Sequence, residues 1–182
     1  MGRKADQTRA TILVAARERF AESGYEAATI RAIAADANID PSMVMRYFGN
    51  KDQLFAAAAE FDLRFPDFTD VPRAELGTTM VRHFLARWEA DDALVMLLRS
   101  ATTNAEAAQR MKDIFAAQLL PAIAKILPDD APRRTGLIAT QVLGMALCRF
   151  VLRLPPVVAM SGDELVDWLG PTLQRYIDDA TP

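Results

Sequence analysis

Apolar side chains recur every three or four positions along most of the chain, which is the spacing of amphipathic α-helices. Leu76, Met80, Phe84 and Trp88, for example, fall four apart and share one helix face. No stretch alternates convincingly as a strand does. The pattern predicts an all-α fold of about nine helices, over residues 8–23, 30–37, 41–48, 51–65, 73–89, 93–100, 104–127, 133–154 and 161–176. Residues 1–7 are expected to form a polar arm.

Residues 29–54 contain a tight sequence of helix start and stop signals. Thr29 and Asp40 are N-cap residues by type, and Pro41 stands where the first helical position needs no N–H. Between them, Asn38 tolerates the left-handed conformation that ends a helix and begins a turn. Gly49 ends the second helix. Two short helices joined by such a turn form a helix-turn-helix, whose second helix can lie in a DNA major groove.

The second helix of this motif would bury Val44 and Phe48 and expose most of its remaining side chains. Arg31 can reach a phosphate or a guanine edge, and Lys51 can bind a phosphate at the start of the next helix. A helical hairpin with an ordinary solvated face remains the alternative. The candidate DNA contacts are Arg31, Pro41, Ser42, Met43, Met45, Arg46, Tyr47 and Lys51, with Arg3 and Lys4 in the leading arm.

Residues 8–54 resemble the DNA-binding domain of the TetR family of bacterial transcriptional regulators. The matching positions are Phe20, Gly24, Thr29, Ile33, Ala34, Ala37, Phe48, Lys51 and Leu54. The resemblance implies that Thr29, Arg31, Tyr47 and Lys51 contact phosphates or bases, and that residues 41–46 face the groove. Three positions depart from the family pattern: Asn38 replaces its turn glycine, Met45 its tyrosine and Tyr47 its histidine. Met45 cannot donate to a phosphate but can touch a thymine methyl.

The resemblance implies two domains, an N-terminal DNA-binding domain at 1–50 and a C-terminal domain at 51–182 for ligand binding and dimerisation, with helix four joining them. Methionine and aromatic side chains make adaptable apolar walls, and a charged group among them needs an acidic partner or an anionic ligand. Plain core packing is the alternative at each position. The pocket candidates are Phe84, Trp88, Met96, Arg99, Met111, Phe115, Gln118, Met145, Cys148 and Arg149.

The helix expected at 133–154 is apolar on nearly every side, so it must be covered on nearly every side. We expect it to contribute to both the core and a dimer interface. The alternative is that it is simply the central core helix. An isologous dimer would place two recognition helices about 34–36 Å apart, or somewhat more, so that they can read a palindromic operator. The interface candidates are Ala139, Leu143, Gly144, Leu147 and Val151, with Trp168, Leu169 and Leu173 on the last helix.

Composition narrows the functional classes without selecting one. The 182 residues carry a net charge of −3, and residues 1–60 sum to zero, so DNA binding requires the basic residues to share one face. The single Cys148 excludes an intrachain disulfide, and the lone His83 has no second metal ligand nearby. No catalytic motif is present, so neither an enzyme nor a cofactor is expected. We expect a cytoplasmic protein, since no apolar run approaches the length of a membrane span.

Together these features predict a dimeric repressor that binds a palindromic operator in double-stranded DNA. An apolar or amphipathic small molecule in the C-terminal domain would release it. The alternative is a DNA-binding factor of the same fold that lacks a small-molecule effector and is controlled by a protein partner. An all-α enzyme or a plain helical interaction module is the third class.

Overall fold

The computed structural model describes residues 2–179, with side chains from residue 4 onward, and is all-α over that range. No helix in it is long and apolar enough to cross a membrane. Two 3₁₀ turns, Phe68–Asp70 and Arg73–Glu75, precede α5. The helices are α1 Gly2–Ala27, α2 Ile30–Asp36, α3 Pro41–Phe48, α4 Lys51–Ala58, α5 Leu76–Ala90, α6 Asp92–Ser100, α7 Ala105–Ile114, α8 Leu120–Ile126, α9 Ala131–Ala146, α10 Pro155–Ala159 and α11 Gly162–Asp178.

The chain divides into two compact units. The first contains the chain up to Phe61 and the later segment Asp92–Met111, so α6 and most of α7 belong with α1–α4. The second contains Asp62–Asp91 and the chain from Lys112 onward. The predicted boundary at residue 50 separates two functions and stays a prediction. Each compact unit combines segments that are far apart in the sequence, and local sequence patterns do not reveal such a combination.

The first unit is built around α1, which packs against α2, α4 and α6. Its side chains Ile12, Ala16 and Phe20 are fully buried, and Leu13 beside them is partly exposed. Phe55 from α4 meets Phe20 edge to face with ring centroids 5.1 Å apart. The largest side chains buried here are Ile12, Phe20, Ile33, Leu54, Phe55, Met96 and Leu97.

The second unit is organised around the pairing of α5 with α11, and α11 also packs on α9. Gly77 and Gly170 stand at the α5–α11 contact, where a Cβ on Gly77 would lie 2.4 Å from the Gly170 carbonyl oxygen. Only glycine permits so close an approach of the two backbones. The core side chains include Met80, Ile123, Ile138, Leu173 and Ile177.

Two expectations at the edges of helices were wrong. The expected arm is instead the first turns of α1, because Ala5 and Thr8 continue the half-buried stripe below Ile12 and no helix breaker follows Gly2. The expected helix at 51–65 ends at Ala58. Arg17 donates to the carbonyl oxygens of Ala58 and Glu60 at 2.9 and 3.2 Å, so a side chain replaces the N–H groups that a longer helix would supply. The link from α4 to the second unit is therefore not helical.

Two π-helical turns break the regularity of the C-terminal helices. Phe115–Leu119 joins α7 to α8 without a gap, just before Pro121, where a kink was predicted. Counting α7 and α8 as one helix gives ten in the described chain, one more than expected. The additional helix is α10. The preceding turn, Leu147–Val151, ends before Arg153, whose φ is 54°, and Pro155 and Pro156 then start a new helix.

Candidate nucleic-acid interface

Local hydrogen bonds shape the helix-turn-helix as its sequence predicts. The Thr29 hydroxyl accepts from the Ala32 N–H at 3.1 Å, and the Asp40 carboxylate accepts from the Ser42 N–H at 2.8 Å. Asn38, at φ 53°, makes the left-handed turn between α2 and α3. These caps fix where α3 starts and the direction in which it leaves the turn.

The inner face of α3 is locked into the first unit, and its outer face is open. Val44 is fully buried and Phe48 is 7% exposed, both as predicted. Met45 and Arg46 on the opposite side are exposed, while Tyr47 is partly covered. Pro41 and Met43 are also partly covered and Ser42 is exposed, so these six side chains around the buried Val44 present an outer surface of mixed polarity.

The acidic groups near this surface are engaged, which leaves its arginines unneutralised. Arg19 binds Asp36 through two hydrogen bonds of 2.6 and 2.7 Å, and this bonding holds the pKa of the Asp36 carboxyl below its usual value. The Asp40 carboxylate caps α3. In the described part of the chain, the exposed guanidiniums of Arg31 and Arg46 form no hydrogen bond or ion pair. The net charge of zero over residues 1–60 thus conceals a locally basic surface.

Lys51 is held in place rather than free in solution. Its ammonium donates to the Glu26 carbonyl oxygen at 3.2 Å and lies 4.3 Å from the centroid of the Tyr25 ring. One N–H group at the start of α4 is already bonded, because the Asn50 side chain accepts from the Gln53 N–H at 2.8 Å. Thr29, the N-cap residue of α2, is exposed.

The predicted arm residues belong to the first turns of α1. Lys4 is exposed there, and the Arg3 side chain lies outside the described residues. Sequence reasoning missed Arg9, an exposed α1 residue whose guanidinium lies 5.2 Å from the centroid of the Phe48 ring, at the end of α3. The continuation of the α1 stripe through Ala5 and Thr8 was the signal that could have placed it.

The pocket candidates are divided between the two units. Met96, Arg99 and Met111 belong to the first unit, and the other seven belong to the second. In the second unit, Phe84, Trp88 and Met145 are buried. Trp88 stacks on Phe150 with ring planes 7° apart. The remaining four, Phe115, Gln118, Cys148 and Arg149, are partly exposed.

Arg149 has protein partners, so it does not require an anionic ligand. Its guanidinium donates to the carbonyl oxygens of Val157 and Met160, both at 2.9 Å, and lies 3.8 Å from the Glu89 carboxylate. The side chain is 15% exposed. It therefore holds α10 against the turn that follows α9.

The interface candidates also separate by exposure. Leu173 is fully buried and Ala139 is 9% exposed, so both face their own core. Gly144 is exposed, and a Cβ built on it meets nothing within 4 Å. Trp168 is 75% exposed on α11. The other four, Leu143, Leu147, Val151 and Leu169, are partly exposed.

His83 and the acidic residues form no metal site in the described chain. The His83 ring bonds through Nε2 to the Leu63 carbonyl oxygen at 2.9 Å, and burial lowers its pKa. The Leu63 N–H donates to the Gln118 side-chain oxygen at 2.7 Å. Both the backbone N–H and the backbone carbonyl of Leu63 thus form hydrogen bonds with side chains of the second unit.

Two family models match the sequence. Residues 12–58 match the model of bacterial regulatory proteins, tetR family, and residues 74–177 match the tetracyclin repressor-like C-terminal domain. Two curated relatives align with about a third of the chain, and the chain spans about a third of their length. The chain is 44% identical over 55 residues to the HTH-type transcriptional repressor Rv3405c of Mycobacterium tuberculosis, covering 30% of this chain and 29% of that protein. It is 39% identical over 61 residues to the repressor AcnR of Corynebacterium glutamicum, covering 34% and 32%.

Solved structures extend the likeness to nearly the whole chain. A TetR-family regulator (SCO0857) from Streptomyces coelicolor is 29% identical, with 96% of each chain covered and a TM-score of 0.60. NalD, the secondary repressor of the MexAB-OprM multidrug efflux pump in Pseudomonas aeruginosa, is 21% identical. Its TM-score is 0.71, with 98% of this chain and 100% of NalD covered. At that identity NalD supports the fold alone.

Proposed function

The chain belongs to the tetR family of bacterial regulatory proteins, and on that basis we propose that it represses transcription by binding a palindromic operator as a homodimer. The observation that carries the proposal is α3 itself. Its apolar side is fixed by Val44 and Phe48, and its outer side presents an exposed Arg46 without a partner among the described residues. The family consists of regulatory proteins, which agrees with the expectation that the chain is not an enzyme.

The proposed contacts separate into two kinds. Arg46 and Met45, both exposed on α3, would read base edges and thymine methyl groups in the major groove. Arg31, Tyr47 and Lys51 would bind phosphates and set the position of α3 on the duplex. Two relatives that match about a third of the chain are described as repressors, which supports repression as the sign of control.

Variant proteins test this division on DNA that flanks the protein's own gene. Arg46→Ala should weaken binding to the preferred sequence by about 1–3 kcal/mol and relax base preference. Lys51→Ala should weaken binding to all sequences alike. Arg82→Ala, an exposed arginine of the other unit, is the matched control and should leave the affinity unchanged. The absence of salt-sensitive, sequence-selective binding by the wild type would refute the function.

Dimerisation is proposed through α9 and α11. The open surface at Gly144 admits a second helix closely, and the exposed Trp168 indole supplies a large apolar anchor. Trp168→Glu should therefore convert the dimer to a monomer in light scattering and abolish tight operator binding. A dimer that survives this change at micromolar concentration would place the interface elsewhere.

We also propose that an apolar or amphipathic small molecule binds in the C-terminal unit and releases the operator. Gln118 lies in the π turn Phe115–Leu119, and turns of this kind occur frequently at functional sites. Its side-chain oxygen accepts from the Leu63 N–H, five residues after the end of α4. A ligand that competes for Gln118 would loosen the segment leading from α4, provided it binds one state more tightly than the other.

A thermal-shift screen of apolar and amphipathic compounds, followed by release of bound operator, tests the ligand. Gln118→Leu should alter the effect of the ligand on DNA affinity. The DNA affinity measured without ligand should stay unchanged. If operator binding persists and no compound shifts the melting temperature, a protein partner becomes the controlling factor.

A further inference from the structure

Tyr25 occupies a fixed position beside α4. It follows Gly24, whose φ of 77° kinks α1 three residues before the helix ends at Ala27. The ring stacks on Phe20 at 6.0 Å and meets Phe55 edge to face at 5.0 Å. Its hydroxyl donates to the Asp52 carboxylate, and this hydrogen bond raises the pKa of Tyr25 to about 12. The phenol therefore stays protonated and keeps its hydrogen bond at physiological pH.

The Lys51 ammonium is oriented by two groups of this neighbourhood. It lies 4.3 Å from the Tyr25 ring centroid, within cation–π range, and donates to the Glu26 carbonyl oxygen at 3.2 Å. An ammonium has three N–H donors. The ring face takes one and the carbonyl oxygen takes another, so the third remains for a further acceptor. The side chain is only partly exposed, although lysine normally extends into solvent.

The charge of Lys51 is held without being neutralised. Asp52, its neighbour in sequence, accepts from the Tyr25 hydroxyl, and no described carboxylate forms an ion pair with Lys51. An acidic partner would compete with a phosphate for the ammonium, whereas an aromatic face and a neutral carbonyl orient it and leave its charge available. A lysine already ordered loses less side-chain entropy when it binds.

We propose that Tyr25 is a positioning residue for operator binding, one that holds the Lys51 ammonium over its ring as a preformed ligand for a backbone phosphate. Tyr25 itself need not touch the DNA. This inference rests on the proposed DNA-binding function and adds a residue that acts only through another.

The test measures operator affinity by fluorescence anisotropy across a range of salt concentrations. Lys51→Ala should reduce the slope of log affinity against log salt by about 1, the loss of one phosphate contact. Tyr25→Leu should weaken binding about 2- to 5-fold, as expected for an exposed cation–π contact, and should also lower the slope. Tyr25→Phe keeps the ring and should keep the slope.

A double-variant cycle separates positioning from a general structural role. In the Lys51→Ala background, Tyr25→Leu should have no further effect on affinity, because its partner is already absent. An equal loss in both backgrounds would overturn the proposal. An unchanged salt slope in Lys51→Ala would also overturn it. If the wild type still binds the operator in that case, only the role of Tyr25 fails and the proposed function stands. If the wild type binds no operator, the function itself fails.

A second measurement does not depend on whether Tyr25→Leu folds. In the wild-type protein the Lys51 ε-methylene protons should show an upfield ring-current shift in NMR spectra. The shift should persist in Tyr25→Phe and in the complex with operator DNA. Its disappearance on DNA binding would mean that Lys51 leaves the ring to reach the phosphate, and the proposal would be wrong.

Discussion

Replacing Gly77 with alanine should destabilise the C-terminal unit, because the two helix backbones of α5 and α11 meet at this residue. A Cβ at Gly77 would lie 2.4 Å from the Gly170 carbonyl oxygen and 2.7 Å from the Gln174 backbone nitrogen. Ordinary contact requires about 1 Å more, and both neighbours are backbone atoms of a helix that no side-chain rotation can move aside. The helices must separate, and this also strains the 2.9 Å hydrogen bond from the Gly77 N–H to the Gln174 side chain.

Overpacking of this kind costs about 1–3 kcal/mol. Gly77 stands in the first turn of α5, where the gain in helix propensity from alanine is small, so we expect a net loss of about 2 kcal/mol. For a chain of this size that corresponds to a fall of about 4–8 °C in melting temperature. Calorimetry and urea unfolding at one protein concentration measure both quantities.

Gly136→Ala provides the matched control within a helix interior. A Cβ built there meets nothing within 4 Å, so the helix-propensity gain of up to about 1 kcal/mol is unopposed and the protein should become slightly more stable. The reasoning is refuted if Gly77→Ala is as stable as the wild type, or if the two variants shift the melting temperature in the same direction.

Three further outcomes follow from single side chains. Asp40→Asn keeps an oxygen at the cap of α3 but removes the titrating group. Hydrogen bonds to Ser42 lower the pKa of Asp40 in the folded protein. The contribution of this carboxylate to stability is therefore complete above its unfolded pKa and is lost as the pH falls through its folded pKa. Unfolding measured from pH 7 to 3 should show a shallower acid loss in Asp40→Asn. Burial lowers the pKa of His83, so the unfolded state binds the proton first and stability falls as pH drops below about 6.5. His83→Gln should flatten that limb, and an unchanged limb would contradict the assignment. Arg149→Met should cost about 2 kcal/mol in urea unfolding through two lost charged hydrogen bonds to carbonyls, with operator affinity unchanged; a stable variant would show that α10 needs no clamp.

The helix-turn-helix was predictable because its signals are local. Thr29 and Asp40 bond to N–H groups two or three residues ahead, and Asn38 adopts its left-handed conformation within the turn it makes. The capping box of Ser161 and Glu164 at the start of α11 follows the same rule. Each of these interactions is complete within a few residues, so the sequence contains all the information required.

The end of α4 was not predictable, because its cause lies far away in the chain. Residues 56–59 are all alanine and favour continuation of the helix. Arg17, about forty residues earlier, binds the carbonyl oxygens of Ala58 and Glu60, and Arg110 binds that of Ala59 at 3.3 Å. The partners of Arg149 could not be predicted for a similar reason. Two of them are backbone carbonyl groups, which every residue has, so residue type does not indicate which one binds the guanidinium.

The sequence by itself determined the helical class, the caps and turn of residues 29–50, and which side of α3 faces inward, since hydrogen bonds over a few residues and the 3.6-residue period set all of these. Only the tertiary structure decided that Leu173 faces the core while Trp168 faces outward, and that α6 packs with α1. It alone placed the Lys51 ammonium over the Tyr25 ring. These features depend on which helices meet and at what angle, and side chains distant in sequence decide that by how closely they fill the space between helices.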